Sequence, residues 1–137
     1  MAILIDTNVF VALGVPHDPN HANAVFAMRE LVDLRVIPVS VLPEMFYMLT
    51  VRMGYKAAAN MFSRVRSGAF NIETLTTEDM ARMQEIIEQY TDNMFDFVDL
   101  SIMAMSERLN ITEIYTFDRR DFRVFRPKHC AYFELLP

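Results

Sequence analysis

The chain opens on Ala2 to Ile5, an unbroken apolar run closed by Asp6, Thr7 and Asn8. Such a run, bounded by polar residues, reads as a buried strand, and the polar residues suit the entry of a helix whose apolar part is Val9 to Leu13. Pro16, Pro19 and their polar neighbours interrupt the chain. From His21 to Leu34 the spacing turns helical, with Ala24, Met28, Leu31 and Val32 on one face. Val36 to Val39 predicts a second strand, and Val41 to Met53 a helix apolar on nearly all sides and therefore largely buried. Tyr55 to Arg66 predicts another helix, and Phe70 to Leu75 alternates as a strand. Thr77 to Tyr90 places Met80, Met83, Ile87 and Tyr90 inward on a helix, and Asp99 to Leu109 follows with Val98, Ile102, Met105 and Leu109 at helical spacing. Glu113 to Phe117 and Tyr132 to Leu136 predict the last two strands.

Strands alternating with helices point to an α/β sandwich with a mostly parallel central sheet, since parallel neighbours need crossover helices. A length of 137 residues fits one domain, spanning 1–137, with a single core. The composition, 53% hydrophobic with only 3 Gly and 6 Pro, excludes a disordered or low-complexity chain. No apolar stretch reaches the ~18 residues of a membrane span, and no basic segment precedes the first run, so the expectation is a soluble cytoplasmic protein. Cys130 is alone, so it cannot close an internal disulfide and reads as a small buried apolar residue; the methionines are assigned to the core.

Open parallel sheets bind ligands outside the carboxyl ends of their strands. Asp6 and Asp118 stand there, one after AILI and the other after IYTF. Each has a plain alternative, Asp6 as a helix cap (a role open to Asn8 as well) and Asp118 as a turn residue with Asp121 capping a short helical turn. Glu44 sits among Leu42, Met45, Phe46 and Met48, where an ionised carboxylate needs a cation or donors; Arg52 or the helix start marked by Pro43 would serve as well as a metal. Asp96 and Asp99 in DFVDLSIM share one side of a helix entry, with Asp99 favoured as ligand and Asp96 as cap or outer neighbour. His17 and His21 have helical-ligand spacing, but Pro19 between them leaves them as loop and helix-entry residues. Carboxylates without thiolate or imidazole companions suit Mg²⁺ or Mn²⁺ over zinc.

Taken together, ILIDTNVF, the Glu within SVLPEMFYML, DFVDLSIMAMSERLNI and YTFDRRDF, in this order and spacing, resemble the PIN domain, and more narrowly the VapC-type toxins of bacterial and archaeal toxin-antitoxin pairs. HDPNHANA resembles a further stretch of that family. The resemblance implies a three-layer α/β/α fold and a metal-dependent endoribonuclease leaving a 5′ phosphate and a 3′ hydroxyl. It also implies Asp6, Glu44, Asp99 and Asp118 as the acidic quartet holding Mg²⁺ or Mn²⁺, Thr7, Asn8 and Thr116 as supporting positions, and Asp96 as an additional acid. The implied partners are RNA, a second copy in a symmetric dimer, and a small antitoxin whose C-terminal segment covers the site. The alternative is a PIN-type module that binds RNA or regulates without cleaving. A receiver domain is excluded because no Asp lies between Asp33 and Asp79, and a haloacid-dehalogenase-type phosphatase because Asn8 stands where its second Asp is needed.

Charge adds a qualification. The net charge of −5 speaks against a binder that relies on neutralising phosphates. Its distribution is uneven, however: the acids gather between Glu73 and Asp99, whereas Arg119, Arg120, Arg123, Arg126 and Lys128 cluster with Phe122 and Phe125 interleaved. That strip, and secondarily Arg52, Arg64 and Arg66, is where an RNA grip is expected, the plain alternative for the strip being a solvated turn whose arginines pair with nearby acids.

Overall fold

In the computed structural model, which describes residues 1–137, β1 (Ala2–Ile5) takes the middle of a five-stranded sheet. Ile3, Leu4 and Ile5 are wholly buried, as an unbroken apolar strand covered on both faces must be. The other strands are β2 (Leu34–Pro38), β3 (Phe70–Glu73), β4 (Glu113–Tyr115) and β5 (Glu134–Leu136), in the spatial order β3-β2-β1-β4-β5 with every pair parallel. The chain therefore steps outward from β1 to β3, then crosses back to start again beside β1. The switch between the two directions falls at the carboxyl ends of β1 and β4, where a fold of this kind opens a crevice.

The helices are α1 (Thr7–Gly14), α2 (His21–Glu30), α3 (Val41–Met53), α4 (Tyr55–Ser67), α5 (Thr77–Gln89), α6 (Phe97–Leu109) and the short α7 (Arg120–Val124). α1 to α4 pack together, α6 packs with α5 and α7, and α3 and α6 both rest on β2, giving the expected α/β/α layering. α3 turns into α4 at Gly54, whose φ of +95° is open to glycine and strained for other residues.

Several expectations are corrected. α2 stops at Glu30, because Arg35 reaches back to donate to the carbonyls of Met28 and Leu31, each at 3.0 Å, closing the helix end and leaving Val32 95% exposed. α3 buries only Val41, Met45 and Leu49, so it is amphipathic and not apolar-buried all round. On α5 the inward residues are Asp79, Met83 and Ile86, while Met80 and Ile87 are exposed. The rotation follows from Asp79, which closes a capping box with Thr76 and pairs with Arg108 at 2.8 Å. Met45, Met61, Met83, Met103 and Met105 are core residues, but Met53, Met80 and Met94 are exposed and Cys130 is half-buried.

Candidate active site

Asp6 leaves β1 as the N-cap of α1, with one carboxylate oxygen accepting from the Thr7 amide at 2.8 Å. The other accepts from the Thr116 hydroxyl at 2.8 Å, just past the end of β4. Asn8 donates to Thr116 Oγ1 at 3.2 Å and accepts from the Phe117 amide at 3.0 Å, so it ties α1 to the loop after β4. The strand switch thus holds Asp6 from both sides. Asp6 is only 5% exposed, and burial, with Glu44 and Asp96 adding repulsion against the bonds from Thr116 and Thr7, raises its pKa to about 6.

Asp96 is the N-cap of α6, accepting from the Asp99 amide at 2.8 Å. Capping and burial are divided between the two acids, since Asp96 is exposed whereas Asp99 is 7% exposed. Burial first, then the charges of Asp6, Asp96 and Asp121, pushes Asp99 to about 9. Without a cation, Asp99 therefore keeps its proton at neutral pH. Behind it, the buried Ser101 donates to the Val98 carbonyl at 2.7 Å and meets Ser40, at the entrance to α3, at 2.6 Å.

Glu44 lies in the first turn of α3, half-buried and without an ion pair. Burial raises its pKa, with repulsion from Asp96 behind it. Arg52 is not its partner, because that guanidinium pairs with Asp18 at 3.2 Å. The Thr7 hydroxyl is buried beside Glu44 and has no partner in hydrogen-bond geometry.

β4 ends at Tyr115, leaving Asp118 exposed in the loop, where its amide donates to Thr116 Oγ1 at 3.1 Å. Asp121, in the first turn of α7, lies near Asp99, and its charge adds to the repulsion that raises the Asp99 pKa. In the sequence Asp121 reads as a cap, and its place three residues after Asp118 in TFDRRDF is the signal for it. The Ser40–Ser101 pair had none. His17 is exposed and His21 meets the Ala12 carbonyl at 2.7 Å, so neither joins the acids.

Asp6, Glu44, Asp96, Asp99 and Asp121 thus converge, and no ion pair offsets any of them. No three side chains form a ready-made ligand set. Mg²⁺ keeps several waters and takes one or two carboxylates, so this all-oxygen cluster with an orphaned hydroxyl fits it, whereas a close-fitting zinc site does not.

An all-parallel sheet with uncompensated acids at its strand switch defines the class of protein. The PIN domain model matches residues 3–126, and the chain belongs to that family. It is 24% identical over 135 residues to Ribonuclease VapC26 of Mycobacterium tuberculosis, covering 98% of this chain and 100% of that one. It is 25% identical over 116 residues to the 23S rRNA-specific endonuclease VapC20 of the same organism, covering 85% and 88%. The crystal structure of VapC20, described as a sarcin-ricin loop cleaving toxin, superposes with a TM-score of 0.80 at 24% identity over 85% of this chain and 90% of that one. VapBC2 from Rickettsia felis, solved bound to a DNA fragment from its promoter, superposes at 0.71 with 16% identity, covering 98% and 97%.

Proposed function

We propose that this protein is a divalent-metal-dependent endoribonuclease, the toxin of a toxin-antitoxin pair, hydrolysing RNA phosphodiester bonds at the acidic crevice. The observation that carries the reading is the convergence of Asp6, Glu44, Asp99 and Asp121 from different elements without a compensating cation. Membership of the PIN family and relatives named as a ribonuclease and an rRNA endonuclease support it.

Asp6 and Asp99 are the residues to hold Mg²⁺ or Mn²⁺, flanked by Glu44 and Asp121. When bound, the ion supplies charge neutralisation at the phosphoryl oxygens and acidifies a nearby water. Thr116 and Asn8 fix the Asp6 carboxylate in direction, and Asp96 holds the start of α6 so that Asp99 points inward. Glu44, half-exposed and with a raised pKa, is placed to orient the attacking water and accept its proton. An antitoxin partner is supported by the likeness to a toxin-antitoxin complex from Klebsiella pneumoniae, which superposes with a TM-score of 0.63 at 19% identity over 88% of this chain and 89% of that one. A second copy fits the exposed apolar Tyr47, Val51 and Tyr55 on α3 and at the start of α4.

The test is cleavage of a broad RNA pool. EDTA is expected to stop product formation, Mg²⁺ or Mn²⁺ to restore it, and Asp6→Asn or Asp99→Asn to abolish it with the circular dichroism spectrum retained. Undiminished cleavage in either variant would overturn the reading. RNA binding without products in either ion would make the protein a binding module.

A further inference from the structure

Between α7 and β5 lies an open cleft of about 530 Å³, within the ~300–1,000 Å³ typical of ligand sites. Arg119, Arg123 and Arg126 line it, Tyr132 stands at its rim and Glu134 is its only acid. Arg123 and Arg126 form no ion pair, in a chain where 18 acids compete for 13 bases. Arg126 donates to the carbonyls of Arg123 and Phe125, and Arg119 to an oxygen of Pro137. The cleft is therefore basic on a molecule of net charge −5. Phe122 and Phe125, which alternate with the arginines in sequence, are buried, and the accessible ring is Tyr132, 72% exposed.

α7 joins this cleft to the acidic crevice. Successive helical residues turn by about 100°, so Arg119 and Arg123, each two residues from Asp121, point roughly 160° away from it. One short helix thus presents an acid to Asp99 on one side and bases to the cleft on the other.

We propose that the cleft is a subsite for single-stranded RNA, in which the arginines hold consecutive phosphates and Tyr132 stacks on an unpaired base. The choice of RNA rests on the nuclease reading, and it deepens that reading by locating a grip apart from the acids. Those acids repel phosphate, so the grip must lie elsewhere. An acidic polypeptide would also pair with guanidinium groups, but a row of arginines beside an exposed aromatic face matches a polymer with regularly spaced charges and bare rings.

The experiment is fluorescence anisotropy of a short labelled single-stranded RNA with the full-length protein in EDTA, titrated over a series of salt concentrations. The double variant Arg123→Ala, Arg126→Ala should bind at least about tenfold more weakly. It should also flatten the slope of log K against log salt by about 1.4, at about 0.7 for each lost phosphate contact. Tyr132→Ala should weaken binding about fivefold or more with the slope unchanged, and Tyr132→Phe should retain it. Wild-type affinity and slope in the folded double variant would overturn the proposal, as would poly-glutamate displacing the RNA as well as unlabelled RNA of equal length. Because no cleavage occurs in EDTA, the two readings fail separately. Cleavage with Mg²⁺ in a protein whose cleft variants bind normally defeats only the cleft. Binding through the cleft with no cleavage in any divalent ion defeats only the nuclease.

Discussion

Asp118 and Asp121 stand three residues apart after β4, and the chain between them turns from a solvated loop into α7. The Asp118 side chain is exposed and forms no hydrogen bond or ion pair, whereas Asp121 contributes to the charge that raises the Asp99 pKa. Asp121→Asn is accordingly predicted to reduce RNA cleavage at least about a hundredfold, and Asp118→Asn to leave it within about twofold. Equal losses in a single-turnover assay would return Asp118 to the centre. Pattern alone ranked them the other way because the apolar run IYTF extends two residues past the last paired strand residue, Tyr115. Asp6 was legible because strand, Asp and helix entry adjoin in sequence; Asp99 was separated from Asp96 only by how deeply α6 buries it. A second prediction concerns protons. Asp6 and Asp99 bind protons more tightly folded than unfolded, so the stability they contribute is complete below the ordinary carboxylate range, about pH 4, and is lost as pH rises through about 6 and about 9. The Tm in EDTA should therefore fall between pH 6 and pH 9. Asp99→Asn should flatten the upper part of that fall, and saturating Mg²⁺ should raise the Tm more at pH 8 than at pH 6. A profile that stays level in EDTA, with or without the substitution, would contradict the burial of these charges.

At the scale of elements, α5 shows how a polar residue can set the face a helix buries. Burial alone would raise the Asp79 pKa, but the bonds and charge of Arg108 and the Thr76 amide bond outweigh it and hold the carboxylate below its usual range. Its stabilisation is therefore full above the unfolded carboxylate pKa and is lost as pH falls, opposite in sign to that of Asp99. Asp79→Ala should cost about 3 kcal/mol at pH 7 by urea unfolding, because it strips a buried partner from Arg108, while Thr76→Ala, which removes only the cap, should cost about 1 kcal/mol. Similar losses would mean that the cap and not the ion pair dominates. The same residue explains the shifted inward face. Apolar spacing is satisfied by Met80 and Ile87 or by Met83 and Ile86, and the choice falls to Arg108 on α6, 19 residues beyond the end of α5. α2 was overrun for a similar reason, since the donor that closes its end comes from Arg35 in β2. Where an element's limits depend on its own residues, as with β1, α4 and the entry of α1, the pattern sufficed; where a distant side chain sets them, it did not.

For the whole molecule, the sheet order and the exposed face of α3 bear on assembly together. Glu44, Tyr47 and Val51 follow one another at helical spacings along α3, so the apolar strip begins at the edge of the acidic crevice. Tyr47 is 69% exposed and Val51 66%, with Tyr55 continuing the strip onto α4 at 69%, more apolar surface in one line than solvent contact explains. A burial of about 1,000 Å² or more would make a stable pair, and a copy seated here would bring two crevices to one side of the assembly. That geometry would let one RNA span both sites and would compensate for the scarcity of basic surface on a single chain carrying only Lys56 and Lys128 as lysines. Val51→Glu places a charge in the middle of the strip and should convert a dimer to a monomer in sedimentation velocity at micromolar concentration, with circular dichroism unchanged. Because Val51 lies about two helical turns beyond Glu44 on α3, the monomer should retain its Mg²⁺-dependent rise in Tm while losing affinity for long RNA more than for short RNA. A wild-type protein that sediments as a monomer, or a variant that remains dimeric, would remove α3 from the interface and leave its apolar strip to another partner.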